Sequence, residues 1–287
     1  MRTAVMTDSN SGMSVAKGKE LGVFVIPMPV IIDGVTYFEG KNLTQAEFFD
    51  CLMSGKEVTT SQPSPGEIME SWNQVFAQGY DELVYIPMTS GLSNSCATAR
   101  VLAEEYEGRV QVVDNHRISI PQYTSVLDAL KLVSEGKTAG ETRGLLEEAA
   151  FDTSIYIAVD TLEFLKKGGR ITPAVAAIGS VLHIKPLLSI QGGKLDVYAK
   201  VRGMKHCRKK LIEAAAKDLQ ERFSSGDMSK VRIGTAGSFR DMNVAEQWRQ
   251  EVADAFPGYE VNYQDLGCSI ESHTGPEAMG IGVYKVL

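Results

Sequence analysis

Three short segments of this chain are dense in hydroxyl side chains. They are Thr60-Ser61-Gln62-Pro63-Ser64, Thr89-Ser90-Gly91-Leu92-Ser93 and Ser272-His273-Thr274-Gly275-Pro276-Glu277-Ala278-Met279-Gly280. The first two lead into segments that read as helix N-termini, and the third also carries a histidine. Unpaired N–H groups and the positive end of a helix dipole favour a negative charge. Hydroxyls such as those of Thr60 and Ser93 add directed hydrogen bonds, worth about 1.5–3 kcal/mol each when the acceptor is charged. The combination suits an anionic head group and does not by itself break a bond. The plainer reading of the same residues is that they cap helices, and spacing alone leaves both open.

Other chemistries fit less well. Gly91-Leu92-Ser93-Asn94-Ser95 approaches the nucleophile elbow GxSxG in a strand–turn–helix context, without its last glycine. With His273 downstream, a serine acyl hydrolase using Ser93 and His273 can be drawn, yet no carboxylate is uniquely placed to orient the histidine. Gly136-Lys137-Thr138 resembles the end of a phosphate loop, but Lys131 stands where its first glycine belongs and the tripeptide ends a helix. His116, His183, His206 and His273 are scattered, so no metal site is expected, and no cofactor motif is present.

Two basic runs stand out. In Lys166-Lys167-Gly168-Gly169-Arg170 the cations suit a helix C-terminus and Gly168 suits its left-handed cap, which leaves Arg170 to face a ligand or partner. Lys200, Arg202, Lys205, His206, Arg208, Lys209 and Lys210 gather at the start of a long helix, where positive charge opposes the dipole. An anionic ligand, an acidic partner or simple solvation are the ways to offset that cost.

The elements that must carry these residues follow from the apolar pattern. Ala4–Met6, Val23–Met28, Leu83–Pro87 and Val110–Val113 read as strands, separated by helices with clear start signals. Thr44 with Glu47, Ser64 with Glu67, and Thr138 with Glu141 have capping-box spacing, and Pro65 stands at a first helical position. A helix from Ser93 to Tyr106 would turn Ala97, Val101, Leu102 and Tyr106 to or near one face. Later come Ile155–Val159, a hairpin of Leu187–Ile190 and Leu195–Tyr198 around Gln191-Gly192-Gly193-Lys194, and a helix from Met204 to Phe223. Val231–Ala236, a helix to about Ala255, Glu260–Leu266 and Ile281–Val286 complete the pattern. Alternating strands and helices predict two α/β domains, 1–152 and 153–287.

The composition sets further bounds. With 287 residues, 44% hydrophobic and 23% charged, the chain has an ordinary globular balance. A net charge of −7 argues against a nucleic-acid partner, which needs a clustered positive field. The four cysteines, Cys51, Cys96, Cys207 and Cys268, form no CxxC pair and read as buried thiols. The N-terminus opens directly into a strand, and no apolar run approaches about 18 residues, so a cytoplasmic protein with no integral membrane segment is expected.

Taken in order, these residues resemble the DegV family of bacterial fatty-acid-binding proteins, which includes the carrier subunits of fatty acid kinase. The resemblance runs the full length. It rests on Thr7-Asp8-Ser9, Thr60–Ser64, Ser90–Ser93, Asp160–Ile171, Ile184-Lys185-Pro186, Val201-Arg202-Gly203 and His273–Gly275. It implies two α/β domains with one long-chain fatty acid in a tunnel between them. It also implies that Thr60 and Ser93 hold the carboxylate, with Ser61, His273 and Thr274 beside it, and that Arg170 and Arg202 face a separate ATP-dependent kinase subunit. Such a carrier does no chemistry alone; the kinase makes the acyl-phosphate for phospholipid synthesis. A buried acyl chain contributes about 0.8 kcal/mol per methylene, so tight binding needs few polar contacts.

The chain departs from the family pattern in four places. Ser11-Gly12 stands where an aspartate is usual, and Ser119-Ile120-Pro121-Gln122-Tyr123 replaces a glycine-rich stretch, so Ile120 and Pro121 reshape the tunnel. Glu271 and Glu277 stand where small residues are usual. Glu271 either repels a fatty-acid carboxylate or pairs with His273 and raises its pKa. These departures keep open a carrier of another amphipathic acid.

Overall fold

A computed structural model describes residues 1–172, 184–225 and 227–287. The chain separates into two compact units, Met1–Phe151 with Gly267–Ser269, and Asp152–Leu266 with Ile270–Leu287. His183 lies outside the described residues.

The first unit is built on a parallel sheet of four strands in the order β2-β1-β6-β7. These are β1 Thr3–Asp8, β2 Val23–Ile26, β6 Glu82–Ile86 and β7 Val110–Val112. Helices α3 (Pro65–Ala77) and α4 (Ser95–Ala103) pack Ile68, Trp72, Val75, Cys96 and Ala99 against Ala4, Met6, Leu83, Tyr85, Val110 and Val112. Strand alternation directs Val5, Thr7, Val84 and Ile86 the other way. There α5 (Ser119–Ser134) lies against β1 and β6, and α6 (Ala139–Glu148) against β6 and β7. The unit also contains α1 (Val15–Leu21) and α2 (Gln45–Met53).

A second, antiparallel sheet was not legible in the pattern: β4-β3-β5, formed by β3 Pro29–Ile32, β4 Val35–Phe38 and β5 Val58–Thr60. The apolar run Val23–Met28 stops at Ile26, before Pro27. Helix α4 also begins later than expected, at Ser95 with Asn94 as its N-cap. Its packed face is therefore Cys96 and Ala99 with Leu102 and Tyr106, whereas Val101 is 66% exposed and Ala97 is exposed too.

In the second unit a mixed six-stranded sheet runs β10-β9-β8-β13-β11-β12. Its strands are β8 Thr153–Ala158, β9 Ile184–Ile190, β10 Asp196–Arg202, β11 Val231–Gly237, β12 Val261–Asp265 and β13 Met279–Lys285. The hairpin β9–β10 forms, with a bulge between Val197 and Ala199. Helices α8 (Met204–Glu221) and α9 (Met242–Ala255) cover the sheet, burying Leu211, Ala215, Trp248 and Val252 with Leu187, Ile233, Ile281 and Val283. Polar groups inside this core are paired: Tyr156 Oη donates to Asp218 at 2.7 Å and Trp248 Nε1 to Gly280 O at 3.0 Å. The described residues also form two short α-helices, α7 (Glu163–Gly168) and α10 (Cys268–Thr274). No described helix is long and apolar enough to cross a membrane.

All three capping boxes close as their spacing predicts, at Thr44, Ser64 and Thr138. Thr138 is thereby a helix cap and not part of a phosphate loop. Replacing Thr138 by alanine leaves the Glu141 N–H without its 3.2 Å acceptor and should destabilise the first unit by about 1 kcal/mol, with Thr138→Ser nearly neutral. Urea denaturation followed by circular dichroism checks both; an unaffected alanine variant would contradict this account of how α6 starts.

Candidate functional site

In the first unit, Thr60 is the last residue of β5, opposite Val30 of β3, and is half-buried. Ser61 is exposed and donates its hydroxyl to Gln62 O at 3.0 Å. Gln62 then reaches sideways, donating from Nε2 to Thr98 Oγ1 at 3.0 Å. Thr98 lies one turn into the helix that follows Ser93, so this bond ties the Thr60–Ser64 segment to that helix. Ser93 Oγ accepts from Ser95 N at 3.1 Å and lies 2.7 Å from Ser95 Oγ. Among the described residues its hydroxyl partner is a serine, not a histidine.

The loop carrying Ser93 is held at every amide from Met88 to Leu92. Met88 N donates to Asp8 Oδ2 at 2.8 Å, Thr89 N to Arg117 O at 2.9 Å and Ser90 N to Asp114 Oδ1 at 3.3 Å. Gly91 N donates to Thr89 Oγ1 at 3.1 Å and Leu92 N to Thr89 O at 3.2 Å. Asp8 is fully buried and also accepts from Asn10 N at 3.0 Å and Gln122 Nε2 at 3.3 Å. Burial outweighs these bonds and pushes its pKa up to about 6. Sequence reasoning placed Asp8 in a motif and Gln122 in a departure from one, but gave neither a role. The available signal was a carboxylate closing an apolar strand.

In the second unit, His273 and Thr274 end α10, and Thr274 Oγ1 donates to Ile270 O at 3.3 Å. The His273 ring lies against Gly168 at the end of α7, and Arg170 Nη1 donates to Gly168 O. Burial, and then the Arg170 charge, push the His273 pKa down to about 4. The direction is opposite to the rise expected from a Glu271 partner. The Glu271 side chain is fully buried and bears on Tyr263, whose hydroxyl is pushed well up by burial, by Asp265, and by Glu271 and Glu277.

A further expectation is corrected. The left-handed cap of α7 is Gly169, with φ 68°, and not Gly168. At the basic start of α8, Arg208 pairs with Glu251 at 2.6 Å, and Lys209 and Lys210 with Glu213 at 3.9 and 2.6 Å. Arg202 ends β10 and is exposed. Glu277 holds φ 58°, a left-handed backbone that favours glycine, so its side chain is carried at a strained position.

A sequence profile described as an uncharacterised protein family, DegV, matches residues 2–286. The chain belongs to the DegV family. A DegV domain-containing protein of Deinococcus radiodurans is 31% identical over 99% of this chain and 98% of its own length. Two solved DegV structures each match over 100% of both chains with a TM-score of 0.87. One is a fatty-acid-binding DegV protein from Thermus thermophilus, 32% identical, and the other a fatty-acid-binding DegV protein from Streptococcus agalactiae, 30% identical. The mixed α/β architecture is thus that of DegV proteins.

The two shifted groups have opposite effects on stability. His273 binds its proton less readily folded than unfolded, so its contribution is a loss of stability as pH falls from about 6.5 to about 4. Asp8 binds its proton more readily folded, so its contribution rises as pH falls through about 6. His273→Asn should remove the first slope and Asp8→Asn the second, read by chemical denaturation across this range. An imidazolium signal from His273 in the NMR spectrum of the folded protein at pH 6 would refute the assignment of a neutral ring.

Proposed function

We propose that this chain binds a long-chain fatty acid and presents its carboxylate to a separate ATP-dependent fatty acid kinase. The observation that carries this reading is the full-length likeness to two DegV proteins described as fatty-acid-binding. The local geometry of the first unit supports it. Gln62–Thr98 joins the Thr60–Ser61 segment to the helix behind Ser93, gathering hydroxyl donors of the kind that suit a carboxylate. On this reading Thr60, Ser61 and Ser93 bind the head group, and His273 and Thr274 are further ligand contacts. A neutral His273 offers a hydrogen bond and no charge.

The protein does no chemistry of its own on this reading and acts in the cytoplasm beside its kinase. Arg170 and Arg202 are the residues proposed to meet the kinase or the phosphorylated product. The exposure of Arg202 at a strand end supports that role, since a guanidinium there is accessible and suited to bidentate contact with phosphate or carboxylate.

Native mass spectrometry of the purified protein, followed by denaturation and identification of released lipid, tests the proposal. One bound fatty acid is expected. The double substitution Thr60→Ala with Ser93→Ala should lose most of that lipid, with the thermal midpoint moved by no more than about 3 °C, the effect of roughly 1 kcal/mol in a chain of this size. Unchanged lipid content in the double variant would sink the assignment of these hydroxyls.

A further inference from the structure

Gly168 is a glycine without a backbone reason. It is the last helical residue of α7, and the left-handed cap is the next residue, Gly169. Within a helix a glycine is up to about 1 kcal/mol worse than alanine where nothing else requires it, and less at the last turn. The reason lies in what the missing side chain leaves room for. A Cβ on Gly168 would stand 2.0 Å from His273 Nδ1 and 2.7 Å from His273 Cε1, closer than real Cβ atoms approach any neighbour.

The reverse contact lies one helical turn away. Phe164 and Gly168 are i and i+4 on α7 and so share a face. A Cβ on Gly275 would stand 2.4 Å from Phe164 Cδ2. Gly275 is glycine for two reasons, since its φ is 73°. The helix thus seats a ring of the His273–Gly275 turn on its own glycine, and places a ring of its own on the glycine of that turn. Gly275 N donates to Glu271 O at 2.8 Å and Gly275 O accepts from Ser238 Oγ at 2.7 Å, so the turn is fixed on its other sides as well. The Gly168 carbonyl in turn accepts from Arg170, so one helix end orients both the imidazole and the guanidinium.

We infer that Gly168 is a positioning residue for His273: the bare α-carbon at the end of α7 seats the imidazole, and the Phe164–Gly275 contact fixes the turn that carries it. The inference rests on the fatty-acid reading for its effect on binding, but the seating itself does not depend on a ligand.

The test is a double-mutant cycle of Gly168→Ala and His273→Ala, read by displacement of a fluorescent fatty-acid analogue with oleate, together with NMR titration of the His273 imidazole in ligand-free protein. Gly168→Ala should weaken oleate binding about tenfold, the loss of roughly one hydrogen bond. In the His273→Ala background the same substitution should change binding by less than about twofold. The His273 pKa should rise from about 4 toward the ordinary histidine value in Gly168→Ala. Equal losses in both backgrounds, or an unmoved imidazole titration, would overturn the inference. If Gly168→Ala does not fold, Phe164→Ala unseats the turn without adding atoms and should move the imidazole titration in the same direction; no movement there counts against the inference. Wild-type protein that binds no oleate defeats the carrier reading, while the titration still decides the seating.

Discussion

The first unit depends on a buried carboxylate. Isolated, the ionised Asp8 would be costly to bury, and it is tolerable because three N–H donors from three segments converge on it. Those segments are the turn after β1, the loop after β6 and the first turn of α5. Remove the acceptor and the Met88 and Asn10 amides lose their partner at once, the expensive direction of hydrogen-bond loss, while Gln122 keeps Thr7 Oγ1 and Ile86 O. The geometry of the Met88–Ser93 loop is therefore set from below by Asp8 and from the side by Asp114 and the Arg117 carbonyl. The hydroxyls at its surface inherit that order without forming it.

The second unit fixes its candidate residues by a different means. Around His273 the positioning is steric: rings rest on glycines, with shape deciding where they go. The same seating also decides the ring's charge. An imidazole pressed against α7 beside a guanidinium stays neutral, because desolvation and Arg170 act in the same direction. In the first unit hydrogen bonds offset part of the cost of burying a charge, and in the second a charge is prevented by packing.

What could be read from the sequence follows the same division. Capping boxes at Thr44, Ser64 and Thr138 are local, so four residues suffice to specify them, and each forms. The longer apolar runs became strands for the same reason. The sheet β4-β3-β5 escaped notice because β5 has three residues and its pairing with β3 is fixed by distant neighbours. Helix α5 gives no start signal: its N-cap, Ile118, offers no side-chain bond, and Ser119 carries a positive φ of 55°. Which of two adjacent glycines caps α7 is equally invisible locally, since both tolerate a left-handed backbone. The His273 ring occupies the space beside Gly168, and Gly169 is left to turn the chain. The hydroxyl segments were legible by composition, but the Gln62–Thr98 bond that ties the first of them to α4 was not.

On the proposed reading, the protein has to hold its cargo and also let a second protein act on it, and the residues proposed for the head group suit that conflict. With each buried methylene contributing about 0.8 kcal/mol, a dozen or more supply most of the affinity without any charged partner. A buried counter-ion would add attraction but would leave an uncompensated charge, costing several kcal/mol, whenever the carboxylate departed. Hydroxyls avoid that penalty: Ser93 already bonds Ser95 without any ligand, so its oxygen always has a partner. A neutral imidazole avoids it as well. On the fatty-acid reading, the depressed pKa of His273 is therefore the property that lets the head group change state without stranding a charge in the protein interior.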